Sequence, residues 1–120
     1  MKNKIWTTEP EEHDFPAAVD YLSLIFPVAT AEEIVSRLKT SETIRKKAKD
    51  ILRASQLPLL PKDNLHVKQD LQKVKSGKKL SPLLLVRADE LIIADGYHRA
   101  CCIYYLSEDE EVPCRIVDKA

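Results

Sequence analysis

Apolar residues recur at helical intervals through the first half of the chain and gather into short continuous runs through the second, and this change of period divides it. In "HDFPAAVDYLSLIF", Val19, Leu22 and Phe26 fall on one helical face, Asp14 suits the N-cap, and Pro16 sits in the first turn, where a missing N–H costs little. Pro27 ends that segment. Thr30 before Ala31-Glu32-Glu33 then reads as the capped, acid-first start of a second helix carrying Ile34, Val35 and Leu38. A third helix is expected from Ser41 through "SETIRKKAKDILRASQ", with Ile44, Ala48, Ile51 and Leu52 inward and Arg45, Lys46, Lys47 and Lys49 on a solvated face.

From Leu57 the texture changes. "LPLLPKDNLHV" reads as extended, a helix over 65–75 stops at Ser76-Gly77, and Pro82 leads into the strand "LLLVR". A turn at Ala88-Asp89-Glu90 separates it from a second strand, "LIIA". The run "YHRACCIYYL" is too long for a strand of a small sheet and predicts a buried helix; after the acidic loop "SEDEE", "VPCRIV" is the last strand. The second half thus has the order α-β-β-α-β. The fold class expected is α+β, a small mixed sheet with the helical region 1–56 packed on the 57–120 core as one unit, since that core alone buries little apolar surface.

Composition narrows the functional classes. With 120 residues, 44% of them hydrophobic, the chain has material for one ordinary core. Its 19 basic and 19 acidic side chains cancel, so no global field draws it to nucleic acid or anionic lipid. No apolar run approaches the roughly 18 residues of a membrane span, and no apolar core follows the N-terminal lysines, so a soluble cytoplasmic protein is expected. Three cysteines, two adjacent, form no disulfide framework and agree with a reducing compartment.

Gly77 and Gly96 are the two glycines, each expected where backbone geometry demands one. Gly96 lies in the turn Asp95-Gly96-Tyr97-His98-Arg99, between an apolar strand and an apolar helix. A helix starting there offers unpaired N–H groups and the positive end of its dipole, a ready anion site. Arg99 is placed to fork onto phosphate oxygens, and His98 to hydrogen-bond or to exchange a proton near neutral pH. The plainer reading makes Asp95 an N-cap and Arg99 the partner of a carboxylate, for instance in "SEDEE".

The order of elements over 57–117, with "SGKKLSP" as a glycine-containing loop before a proline and strand and "DGYHRACC" as a G-x-[RH]-R turn, resembles the ParB/sulfiredoxin superfamily. The resemblance implies that Gly96, Tyr97, His98 and Arg99 face a phosphate or nucleotide, with Asp95 beside them and Lys78 or Lys79 closing the site from the opposing loop. It places Cys102 where the family has a small packing residue. Sulfiredoxins carry a catalytic cysteine immediately before the His-Arg pair, whereas Tyr97 stands there, and Cys101 lies farther into the helix. The partition proteins continue into a helix-turn-helix DNA reader after this domain, whereas this sequence runs to Ala120, so chromosome-site recognition of the usual kind is not expected. The family also includes a serine kinase and ParB-like nucleases, so phosphoryl transfer with a nucleotide and magnesium enters, with Asp95 as candidate base and Asp89 or Glu90 as further carboxylates.

Other constellations are thinner. Cys101, Cys102, Cys114 and His98 make four zinc-type ligands, but adjacent helical cysteines diverge by about 100° and no C-x-x-C occurs. The helices flanking Lys39 to Ser41 mimic a helix-turn-helix with a basic second helix, against which stand the glycine-free turn and interspersed acids. His13 and His66 are isolated, Tyr104 and Tyr105 are core or rim, and Trp6 clamps the N-terminal arm. The expectation is therefore a ParB-like domain binding a phosphate-bearing ligand, most simply a nucleotide. Its rivals are a regulatory or protein-interaction module of the same fold, marked by Arg99 in an internal ion pair and no cavity beside Gly96, and a DNA-binding accessory protein using the Arg45 to Lys49 face.

Overall fold

In the computed structural model, residues 5–120 are described. Helices α1 (Asp14–Leu22) and α2 (Val28–Thr40) precede β1 (Ile44–Lys47) and α3 (Ala48–Ser55); then come α4 (Leu65–Lys75), β2 (Leu83–Arg87), β3 (Leu91–Asp95), α5 (Tyr97–Leu106) and β4 (Glu111–Asp118). The protein is a mixed α+β fold on one four-stranded sheet of order β1-β4-β2-β3. β2 pairs antiparallel with β3 and parallel with β4, and β1 closes the far edge antiparallel to β4.

The continuous apolar run of β2 follows from its position. Leu83 to Val86 are fully buried because helices cover both faces of the sheet. Leu83 and Leu85 point toward α3, α4 and α5, where they meet Ile51, Val67, Ala100 and Ile103. Leu84 and Val86 point the other way, onto Phe15, Ala18 and Leu22 of α1 and Ile34, Val35 and Leu38 of α2. The result is three layers with the sheet in the middle. Trp6 is buried in the cluster on the α3, α4 and α5 side, and the arm before α1 is held by the bonds Thr7 N to Leu80 O and Leu80 N to Ile5 O, 2.8 and 2.7 Å.

Three expectations are corrected. The helix anticipated from Ser41 does not start until Ala48: Ile44 to Lys47 form a strand whose residues pair with Cys114, Pro113, Val112 and Glu111. The open edge of β4 captures this segment, a tertiary demand that overrides its helix-compatible spacing. The basic residues Arg45, Lys46 and Lys47 therefore lie on an edge strand, where charge blunts further pairing, and α2 leads into a strand instead of a second helix. Neither the basic helical face nor the helix-turn-helix forms; Lys49 instead pairs with Asp109 at 2.7 Å.

The second correction concerns α2, which begins at Val28 with Pro27 in the cap position, so Thr30 lies inside the first turn. Pro27 opens the helix because an N-cap needs no N–H and its ψ of 149° is extended. The third concerns Asp14, which is the first residue of α1 instead of its cap, and is almost fully buried.

One buried charge locks the arrangement. Arg115 of β4 is 6% exposed and donates from Nη1 to the carbonyls of Leu38 and Lys39 at 3.2 and 2.8 Å, satisfying the end of α2. Its Nε donates to Thr43 and its Nη2 to Glu9, so the same side chain ties down the segments flanking α1 and α2.

Candidate functional site

The β3–α5 turn is built by an irregularity and a glycine. In the β2–β3 ladder Leu84 pairs with Asp95 but Leu85 with Ile93, so Ala94 is an extra residue and the end of β3 is re-aimed. Gly96 follows at φ +110°, and a Cβ there would lie 2.6 Å from Leu83 Cγ and 2.9 Å from Arg99 Nη2. Only glycine fits. Gly96 is the N-cap of α5, its carbonyl accepts from Ala100 N at 3.0 Å, and no side chain caps the first turn.

The expectation that Asp95 caps the helix is corrected accordingly: its carboxylate turns to Arg99, Oδ2 to Nη2 2.6 Å, one helical turn away. Arg99 Nη1 also donates to Ser81 Oγ and lies 3.5 Å from Asp14 Oδ1. The internal pairing anticipated for Arg99 is thus made with α1 and β3 and not with the "SEDEE" loop. Arg99 Nε is buried without a hydrogen-bond partner. Asp14 is further fixed by Glu11 N, which donates to its Oδ2 at 2.9 Å.

The two carboxyls are driven apart. For Asp14, burial pulls upward, but the Ser81 hydroxyl, the Arg99 guanidinium and the Glu11 amide outweigh it and hold the group below the usual carboxylate range. For Asp95, burial dominates and neighbouring Asp14 adds to it, so that despite Arg99 its pKa is pushed up to about 6. Of the pair, Asp95 is the carboxyl that holds a proton more readily.

Beside this network lies a polar cleft of about 250 Å³. Its walls are His13 and Asp14 from α1, His66, Gln69, Asp70 and Lys73 from α4, and Asp95, Gly96, His98 and Arg99 from the turn. The His66 and His98 rings meet at 4.7 Å between centroids. Burial, then the charge of His66, holds His98 below the ordinary imidazole value, with Asp70 opposing, so it is a neutral donor and acceptor at neutral pH. Burial pushes Asp70 upward against the pull of Lys73, whose ammonium lies 4.0 Å away.

Of the residues singled out in the sequence, Asp95, Gly96, His98 and Arg99 line the cleft; Tyr97, Lys78 and Lys79 do not. Tyr97 turns outward and its hydroxyl donates to Pro58 O at 2.5 Å, while Tyr105 reaches Leu60 O at 2.6 Å, so two α5 tyrosines pin the extended 57–61 segment. Lys78 and Lys79 are exposed, and the ammonium at the cleft comes from Lys73. Sequence reasoning missed Asp14, Asp70 and Lys73 as site residues and treated His66 as isolated. His66, Asp70 and Lys73 stand at i, i+4 and i+7 on one face of α4, a polar stripe that was available as a signal. Asp14 carried none beyond that of an N-cap two residues before Pro16.

The cysteines stand apart from this chemistry. Cys101, Cys102 and Cys114 are buried in the core under α5 and β4, and burial pushes all three thiols up, Cys102 to about 12 and Cys114 to about 11. Among the described residues no group of three or more His, Cys, Asp or Glu side chains is arranged to hold a metal ion, and no helix is long and apolar enough to cross a membrane. What the site can do is hold a small polar molecule against the first turn of α5, with amides, His98, His66 and Lys73 as donors and Asp95 as an exchangeable proton. Compared with protein-family models, with curated proteins and with solved structures, the chain matches none.

Proposed function

We propose that the protein binds a small phosphate-bearing molecule, most simply a nucleotide, in the cleft between α4 and the N-terminus of α5. The observation that carries this reading is that the uncapped first turn of α5, reached through a glycine whose Cβ space is filled, opens onto a polar cleft also walled by His66, Lys73 and His98. In this picture the amides after Gly96 cradle the phosphate, His98 donates to it and Lys73 supplies charge from the facing helix. Arg99 orders the turn through Asp95, Asp14 and Ser81 and presents its guanidinium at the cleft wall. The succession α4, β2, β3, α5, β4 supports assignment to the ParB/sulfiredoxin superfamily, on which the nucleotide preference rests.

A second reading, a regulatory module of the same fold that has lost its ligand, is favoured by one observation: Arg99 is engaged in an internal ion pair. The cleft beside Gly96 favours the first. Thermal-shift and calorimetric measurements with CTP, ATP, ADP and GTP, with and without magnesium, separate them. Stabilisation of the wild type that is lost in Lys73→Ala and His98→Gln supports ligand binding at this cleft. If no nucleotide or phosphate stabilises the wild type, the second reading stands.

A further inference from the structure

Arg99 is partnered in a way that opposes the ligand it lies beside. Its Nη2 is 2.6 Å from Asp95 and its Nη1 3.5 Å from Asp14, so two carboxyls already occupy the guanidinium that an oxyanion would seek. They are not equally held. Asp14 is 3% exposed and is also bonded to the Glu11 amide, whereas Asp95 is 19% exposed, borders the cleft and is ion-paired with Arg99. An incoming phosphate would in addition face Asp70 across the cleft, so three carboxyls confront it. Neutralising one of them removes both the competition and part of the repulsion.

We infer that anion binding in this cleft is coupled to uptake of one proton by Asp95, whose protonated carboxyl releases Arg99 Nη2 to the incoming oxyanion. This rests on the ligand reading given above and adds how the site is regulated. The proton comes from solvent, no covalent bond changes in the ligand, and Asp95 as a neutral acid donates its new O–H to Asp14 or to the anion itself. Arg99 Nη2 then donates to the ligand at the cleft wall. The high proton affinity that burial and Asp14 confer on Asp95 keeps the required proton close to hand near neutral pH.

Other titrating groups face the same space and must be separated from Asp95. From α1 these are His13 and Asp14; from α4, His66, Asp70 and Lys73; from α5, His98 and Arg99. Of α3, Asp50 lies beside the Leu91 end of β3. Protonation of any of the three histidines would also favour an anion, so the test must assign the proton.

Sulfate serves as the probe because its charge is constant over the range used. Calorimetry of the wild-type protein in buffers of differing ionisation enthalpy gives the protons taken up per sulfate, and affinity is followed from about pH 8 to about pH 5. Coupling to Asp95 predicts uptake approaching one proton near pH 7, affinity rising up to about tenfold per pH unit as pH falls toward about 6, and a plateau below it. In Asp95→Asn the uptake and the slope should vanish while sulfate still binds; in His66→Asn and His98→Asn, where sulfate binds more weakly, the protons taken up per sulfate bound should persist. Binding without proton uptake, or uptake retained in Asp95→Asn, overturns the coupling but leaves the ligand reading intact. No sulfate binding by the wild type at any pH overturns both. If the Asp95 variant does not fold, uptake that persists in His13→Asn, His66→Asn and His98→Asn decides, and uptake lost in any one of them overturns the assignment to Asp95.

Discussion

Replacing Gly96 by alanine tests the geometry on which the site depends. Two costs combine: φ of +110° is a conformation L-residues rarely adopt, about 1–3 kcal/mol, and the new Cβ would lie 2.6 Å from Leu83 Cγ in a fully buried layer, roughly another 1–3 kcal/mol of overpacking. Leu83 cannot yield easily, because it is packed under α5 in the core. A total near 4 kcal/mol corresponds to a fall in Tm of about 15 °C for a domain of this size. Gly77 is the internal control. Its φ is +83° but nothing lies within 4 Å of the Cβ position, so Gly77→Ala carries the backbone cost alone, about 1 kcal/mol. Urea denaturation of both variants, with m-values compared with the wild type, measures the difference. If Gly96→Ala loses no more than Gly77→Ala, the close approach at the turn is refuted and with it the rigid cradle.

Three further outcomes follow from the same structure. Asp95 holds its proton more firmly folded than unfolded, so its contribution is fully present below about pH 4 and is lost as pH rises through about 6, a decrease of about 3 kcal/mol that Asp95→Asn should remove from the stability–pH profile. Asp14 has the opposite sign, lowered when folded, and its contribution disappears as the protein is acidified below the ordinary carboxylate range. Arg115→Met removes the Arg115 bonds to the Lys39 and Leu38 carbonyls, the latter still held by Ser41, together with those to Thr43 and Glu9, and should cost about 3 kcal/mol by chemical denaturation, with Arg115→Lys recovering part of it. Tyr97→Phe and Tyr105→Phe each remove one bond to the 57–61 backbone, about 1 kcal/mol apiece, and the double variant should be cleaved faster by protease in that segment with little change in the sheet.

The parts legible in the sequence are those whose boundaries are written locally. Gly77 and Pro82 bracket the loop before β2, the turn at Ala88 to Glu90 divides the hairpin, and Gly96 separates β3 from α5; the helices over Leu65–Lys75 and Tyr97–Leu106 lie where apolar spacing puts them. β1 was hidden because its pairing partner, Glu111 to Cys114, lies far along the chain while its own four residues fit a helix as well. The same distance hid the site's third dimension. Asp14 meets Arg99 only after α1 has been laid across β3, and nothing near Asp14 marks it as more than a cap. The turn itself could be read, but which of its side chains face the cleft could not: Tyr97 turns to Pro58, and Lys73 stands where Lys78 or Lys79 was expected.

The central claim is that a phosphate-bearing ligand docks on the first turn of α5. An amide-resolved NMR titration with pyrophosphate, repeated with the best nucleotide, tests it most directly. Docking there predicts saturable shifts at the amides of Gly96, Tyr97, His98 and Arg99, accompanied by the His66 and His98 ring signals and the Lys73 side chain, while the β1 edge and the surface of α2 stay unmoved. Saturating pyrophosphate and nucleotide with no change at those amides, or shifts confined to the lysines of β1 and the 78–79 loop, would contradict it.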